Sequence, residues 1–239
     1  MWHTIQSSLL ELLAAGFKYT IPLALVSFFW GLLIALFVAL IRLSRQNGAF
    51  KILKGIAVFY VWLFRSTPLL VQLFIVFFGL PHLVIPGVFP DGVQLRPFTA
   101  GVITFSLNTG AYASETIRAV IASVPKGQWE AAEAIGMTRL QVLWRIILPQ
   151  ALRVALPPLA NSFISLVKDT SLAASITIAE MFSVAQQITA ENYEPLLMYI
   201  IVALIYALFT TVLSRLQAWM EKSLAKTAPV QIGGFNETR

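Results

Sequence analysis

Two successive charges, Lys168 and Asp169, fall within a mainly apolar stretch spanning residues 154–176. An ionised group deep in a bilayer costs about 2.5–3.5 kcal/mol, so such groups face protein or water. A carboxylate placed there can take a bound cation, can titrate, or can pair with a charge on another helix. Sequence neighbours do not face each other on a helix, so mutual pairing of the two is not assured. Glu115 and Arg118, three residues apart, can share one helix face as an ion pair or act as a gate, and the ion pair is the preferred reading. Arg65, beside Thr67-Pro68, either anchors at an interface or bonds a neighbouring helix. A third group, Glu130 and Glu133 with Trp129, Ile135 and Gly136, offers acceptors for charged hydrogen bonds, apolar contact for a partner and a residue that permits a sharp turn or close approach.

The elements that must hold these residues are membrane helices. Hydrophobic residues make up 58% of the chain and charged residues 12%, against about 25% charged in a soluble domain. Residues 21–41 carry no charge, and at about 1.5 Å rise per residue they cover the roughly 30 Å of a bilayer core. Residues 195–214 form a second uncharged run. Five spans are expected, at residues 20–41, 58–80, 98–119, 154–176 and 195–216, with the second interrupted near its start by Arg65-Ser66-Thr67-Pro68. Residues 1–239 read as a single transmembrane domain, all α-helical. Met1–Ser8 holds no Lys or Arg, which argues against a cleavable signal peptide. Ile5, Leu9 and Leu12 recur at helical spacing and predict a short helix on the membrane surface.

The charges orient the spans. Arg42, Arg45, Lys51 and Lys54 lie between the first two spans. Lys126, Arg139 and Arg145 lie between the third and fourth, and Lys222, Lys226 and Arg239 follow the fifth. The second-to-third loop has only Arg96, and the fourth-to-fifth has Glu180, Glu191 and Glu194 without Lys or Arg. The positive-inside rule places the N-terminus outside, and the C-terminus and the 128–149 loop in the cytoplasm. The net charge of +6 is therefore a topology signal rather than a nucleic-acid surface. Cysteines are absent and the histidines are His3 and His82, so no metal site is expected. No GxxxxGK[ST] phosphate loop and no nucleophile–base constellation occurs, so the chain is not expected to be an enzyme. Five spans cannot easily enclose a translocation path and no internal repeat supplies a second half, so a second copy or a homologous partner is expected.

Four segments carry a resemblance. Residues 130–149 read EAAEAIGMTRLQVLWRIILP, with Glu130-Ala131-Ala132, Gly136, Ile146 and Leu148-Pro149 at the spacing of the EAA loop of ATP-binding-cassette importer permeases. Phe64–Gln72 (FRSTPLLVQ) resembles the FRGTPLLVQ element of the polar-amino-acid branch, with Ser66 where that element has Gly. Asn108–Arg118 and Leu156–Leu172 resemble its NTxAYxxExxR and LPPxxNxxIxxxKDTSL stretches, the latter closest to cystine permeases. The resemblance implies a type I ABC importer permease fold with five transmembrane helices and a cytoplasmic coupling helix. It implies Trp129, Glu130, Ala131, Ala132, Glu133 and Gly136 as the ATPase-coupling residues. The implied partners are cytoplasmic ATPase subunits, which would hold ATP and Mg, a second permease, an extracytoplasmic substrate-binding protein and lipid, in a bacterial inner membrane. No cofactor is expected on this chain. It also implies a mid-membrane substrate site on the third and fourth spans. There Asp169 would take an amino acid's ammonium, with Asn108, Ser162 and Thr170 as hydrogen-bonding candidates. Cystine is the first expectation, then a cationic amino acid or glutamine. Pairing of Lys168 and Asp169 with other charges stays open, as does an ion-coupled secondary carrier that titrates Asp169.

Overall fold

The computed structural model describes residues 2–43, 49–88 and 90–226. Arg45 and Arg239, used above for orientation, and the side chain of Ile5 lie outside what it describes. The elements in chain order are α1 (Trp2–Ala15), α2 (Ile21–Leu43), α3 (Ala49–Ser66), α4 (Leu69–Phe74) and α5 (Pro97–Ser123). They continue with α6 (Lys126–Ala134), α7 (Arg139–Val142), α8 (Leu148–Asp169), α9 (Met181–Asn192) and α10 (Pro195–Lys226).

Three helical runs are long and apolar enough to cross a membrane, Gln6–Leu43, Arg139–Ile176 and Pro195–Ser223. They contain the expected first, fourth and fifth spans. A fourth crossing arises if Phe50–Ser66 and Leu69–His82, bent by 110° at their junction, act as one broken span. The break falls between α3 and α4 rather than near the start of the span, because α3 begins at Ala49. Pro68 has no N–H to continue α3 and takes extended backbone, φ −64° and ψ 136°, before α4. The expected third span is α5, which has the length but not the apolar composition of the others. Its polar residues Thr104, Ser106, Thr109 and Ser114 are buried against protein, so it need not be apolar all round.

Packing of α2 along α5 forms the centre of the fold. Leu23 meets Gly101, Gly31 meets Thr109, Ile34 meets Gly110, and Arg42 meets Glu115. The numbers rise together, so the two helices run parallel. Ala24, Ser27, Gly31, Ala35 and Ala39 are buried on α2. Small residues of this kind let backbones approach closely where lipid gives no hydrophobic drive for helix association.

One expectation is corrected. A π-helical turn, Gly16–Thr20, joins α1 to α2, so the N-terminal helix continues into the first span. Its face meets protein, with Leu12 fully buried beside Met181, Ala185 and Met198. Periodicity shows that a helix has an apolar face, and either lipid or another helix can cover it.

Candidate functional site

A cavity of about 450 Å³ opens where the α3–α4 break meets α5 and α8. From the break come Thr67 and Pro68, from α5 Asn108 and Tyr112. Asn161, Ser165 and Asp169 of α8 are four residues apart, which puts them on one helix face toward the cavity. Ser162 also lines it and donates its hydroxyl proton to Pro158 O at 2.9 Å. Three of the four residues expected to touch a substrate, Asn108, Ser162 and Asp169, thus border one space. Thr170 does not line it. Its side chain is fully buried, and its hydroxyl donates to Val167 O at 2.7 Å.

Neither Lys168 nor Asp169 takes part in an ion pair among the described residues. Asp169 is the last α8 residue before a tighter 3₁₀ turn, Thr170–Ile176. The cavity wall therefore carries one carboxylate, and amides and hydroxyls complete its polar part. Such a lining suits a small zwitterion, whose ammonium needs acceptors and whose carboxylate needs donors.

Charges near the far end of α5 are spent on structure. Glu115 accepts from Arg42 of α2 at 2.5 Å and from Arg118 of its own helix, so the Glu115–Arg118 ion pair gains a third member. Arg65 lies over the Tyr112 ring at 5.4 Å, and the Tyr112 hydroxyl donates to Arg65 O at 3.4 Å. Of the two roles open to Arg65, the structure shows bonding to a neighbouring helix. His82 Nδ1 lies 2.9 Å from Phe78 O one turn earlier.

Between α5 and α8 stands the segment that holds the EAA pattern. In α6, Ala132 is buried against Val142 and Ile147. Glu130, Ala131 and Glu133 are exposed, and Glu133 lies 3.2 Å from Arg139. Gly136 has φ +85°, with Met137 N donating to Ala132 O at 3.2 Å and Gly136 N donating to Glu133 O at 3.0 Å. This pair of bonds is a Schellman C-cap, whose left-handed residue is ordinarily glycine. An added Cβ at Gly136 would meet nothing within 4 Å, so backbone conformation, and no close approach, requires the glycine. Two residues on, Thr138 and Gln141 form a capping box that starts α7. Trp129, expected to face a partner, packs inward as a half-buried residue against the α5–α8 core. The outward apolar surface is Ile135, Leu140 and Trp144, which are 79%, 66% and 50% exposed.

Two residues that sequence reasoning did not single out hold the surroundings together. Glu180 is fully buried and accepts from Phe182 N at 2.9 Å, Ser183 N at 2.7 Å and the Tyr206 hydroxyl at 2.6 Å. It caps α9 and ties it to α10, and burial pushes its carboxyl above the usual carboxylate range. Gln72 is 6% exposed and bonds both the helix break and Asn108. Its one sequence signal is a lone polar residue in an otherwise apolar run from Leu69 to Phe78.

Residues 29–226 match the model of a family described as binding-protein-dependent transport system inner membrane component. The chain is 49% identical over 224 residues to the L-cystine transport system permease protein TcyB of Bacillus subtilis, covering 93% of this chain and 91% of that one. It is 38% identical to the nopaline transport system permease protein NocM of Agrobacterium fabrum, over 93% of this chain and 91% of that one. Among solved structures it is similar to an amino acid ABC transporter with histidines, at TM-score 0.77 and 35% identity, covering 85% of this chain and 90% of that one. A methionine ABC transporter in inward-facing conformation shares the fold at TM-score 0.71 and 19% identity.

Proposed function

The chain belongs to the family of binding-protein-dependent transport inner membrane components, and from that premise we propose that it is the permease subunit of an ABC importer for a polar amino acid, L-cystine first. The observation that carries this reading is the meeting of Asn108, Ser162 and Asp169 around one cavity between α5 and α8. The identity to a cystine permease supports the first substrate, with cationic amino acids and glutamine next. In this reading Asp169 takes the ammonium and the hydroxyls and amides of α8 take the carboxylate. Thr170 is left out of the contacts and serves packing.

Two copies, or this chain with a similar permease, assemble with two cytoplasmic ATPase subunits and receive the amino acid from a binding protein outside. ATP with Mg acts on the ATPase subunits. The N-terminus is outside, and the α6–α7 segment is cytoplasmic and docks into the ATPase. Its surface comprises Glu130, Ala131, Glu133 and the turn at Gly136, together with Ile135, Leu140 and Trp144, while Ala132 and Trp129 brace it from within. Closure of the ATPase pair moves the two docked segments together and turns the cavity from one side of the membrane to the other. The free energy for this comes from contacts that differ between the two states.

The test is uptake of labelled L-cystine in cells bearing the complete system, competed with unlabelled arginine, histidine and glutamine, with this chain deleted and with Asp169→Asn. Deletion should abolish uptake of one amino acid, and the variant should weaken its binding. Wild-type affinity and uptake in Asp169→Asn would overturn the assignment of the ammonium site. Uptake that stops on collapse of the proton gradient while ATP is intact would favour an ion-coupled carrier.

A further inference from the structure

Gln72 is nearly buried, and each atom of its amide has a defined role. The break at Pro68 leaves carbonyls at the end of α3 without the N–H groups that a continuing helix would bring. Gln72 Nε2 supplies the missing donor, 2.9 Å from Phe64 O and 3.0 Å from Thr67 O. It also lies 2.8 Å from Thr67 Oγ1. That hydroxyl gives its own proton to Leu63 O at 2.8 Å, so toward Gln72 it can only accept. With three acceptors on one side, the Gln72 nitrogen must face the break, and its Oε1 must face α5.

There Asn108 Nδ2 donates to Gln72 Oε1 at 2.9 Å and to Phe64 O at 3.5 Å. Both N–H protons of the Asn108 amide are thereby directed away from the cavity that the residue lines. Its Oδ1 has no hydrogen-bond partner among the described residues. An unconstrained amide could turn over and offer either its NH₂ or its C=O. Here a chain of fixed polarity from Leu63 O through Thr67, Gln72 and Asn108 decides which end the cavity receives.

We propose that Gln72 is a positioning residue for the amino-acid pocket: it holds Asn108 with its carbonyl oxygen toward the cavity, so that Asn108 and Asp169 present acceptors alone and select a ligand carrying an ammonium. This rests on the cavity being the amino-acid site proposed above. It assigns a specificity role to a side chain that touches no substrate. A ligand with the same carboxylates and disulfide but no ammonium, such as dithiodipropionate, is excluded because two oxygen acceptors would go unpaired.

The experiment measures the Kd of labelled L-cystine for the purified permease–ATPase complex without binding protein, and the maximal rate of ATP-driven uptake per assembled complex. Asn108→Ala and Gln72→Met should each raise Kd by about three- to tenfold, the effect of one hydrogen bond. The double variant should bind no more weakly than Asn108→Ala, since Gln72 acts through Asn108. Gln72→Glu replaces the Nε2 donor by an acceptor that faces Phe64 O, Thr67 O and Thr67 Oγ1, so it breaks the same link and should weaken binding at least as much as Gln72→Met. Wild-type binding by Gln72→Met or by Gln72→Glu, or losses that multiply in the double variant, would each overturn the proposal. Where Gln72→Met fails to assemble, Gln72→Asn decides: it keeps the amide but is one methylene too short to bridge the break and Asn108, so it should raise Kd, and wild-type binding by it would overturn the proposal. Wild-type binding in both Asn108→Ala and Asp169→Asn would instead defeat the pocket assignment itself.

Discussion

A Cβ on Gly31 would lie 2.9 Å from both Cβ and Cγ2 of Thr109 on the parallel helix α5. The two helices are therefore in contact at a point where no side chain fits between them, and Thr109 itself borders the cavity between α5 and α8. Gly31→Val should destabilise the permease by about 1–3 kcal/mol through overpacking. The check is the midpoint of thermal unfolding in detergent, which should drop, with Gly31→Ala lying between the variant and the wild type.

Glu180 and Tyr206 provide a second test. Tyr206→Phe removes one hydrogen bond to a buried carboxyl and should cost about 1.5–3 kcal/mol. Glu180→Ala removes the shared acceptor and leaves Phe182 N, Ser183 N and the Tyr206 hydroxyl to find other partners, so its loss should be larger. Unfolding midpoints of the two variants and their combination should show strong non-additivity, because both mutations break one network.

Gly136 and Gly127 separate conformation from space. Neither would bring an added Cβ within 4 Å of anything, but only Gly136 of the two has positive φ. Gly136→Ala should cost about 1–2 kcal/mol of local strain and lower ATP-driven uptake in the assembled complex. Gly127→Ala should leave uptake within about twofold of the wild type, a change under 0.5 kcal/mol.

Ile135 tests the proposed docking surface. At 79% exposure it contributes little to this chain's own packing. Ile135→Glu should leave the unfolding midpoint of the permease unchanged and prevent co-purification of the ATPase. Trp129→Ala should do the opposite first, lowering the midpoint by removing a residue packed against the α5–α8 core.

Much of this arrangement was legible in the chain, and the gaps have physical causes. The turn at Gly136, the break at Pro68 and the grouping of Asn108, Ser162 and Asp169 follow from local chemistry and family-like segments. Trp129 packs inward where its sequence position suggests partner contact, because a short helix displays its apolar residues without saying which of two bodies covers them. Adjacency to Asp169 makes Thr170 a pocket candidate in the sequence, but neighbouring residues point about 100° apart around a helix, and with Asp169 toward the cavity Thr170 is buried. The apolar face of the N-terminal helix does not announce its partners, because Met181 and Met198 lie more than 160 residues away. Glu180 and Gln72 give weaker signals, since a single polar residue in or beside an apolar run does not reveal how many donors or acceptors will converge on it.

The cavity's two walls are the far ends of two levers. α5 ends at Ser123, just before α6 begins at Lys126, and α8 begins at Leu148, just after α7 and its π-turn. Asn108 thus stands about 22 Å, and Asp169 about 32 Å, along their helices from the segment that joins them. A tilt of about 5° at that end would carry the two groups by roughly 2 Å and 3 Å. Displacements of that size exceed the narrow distance range in which a hydrogen bond holds. Tongs pinched at the α6–α7 joint would therefore part the two cavity walls at their tips without any change inside either helix.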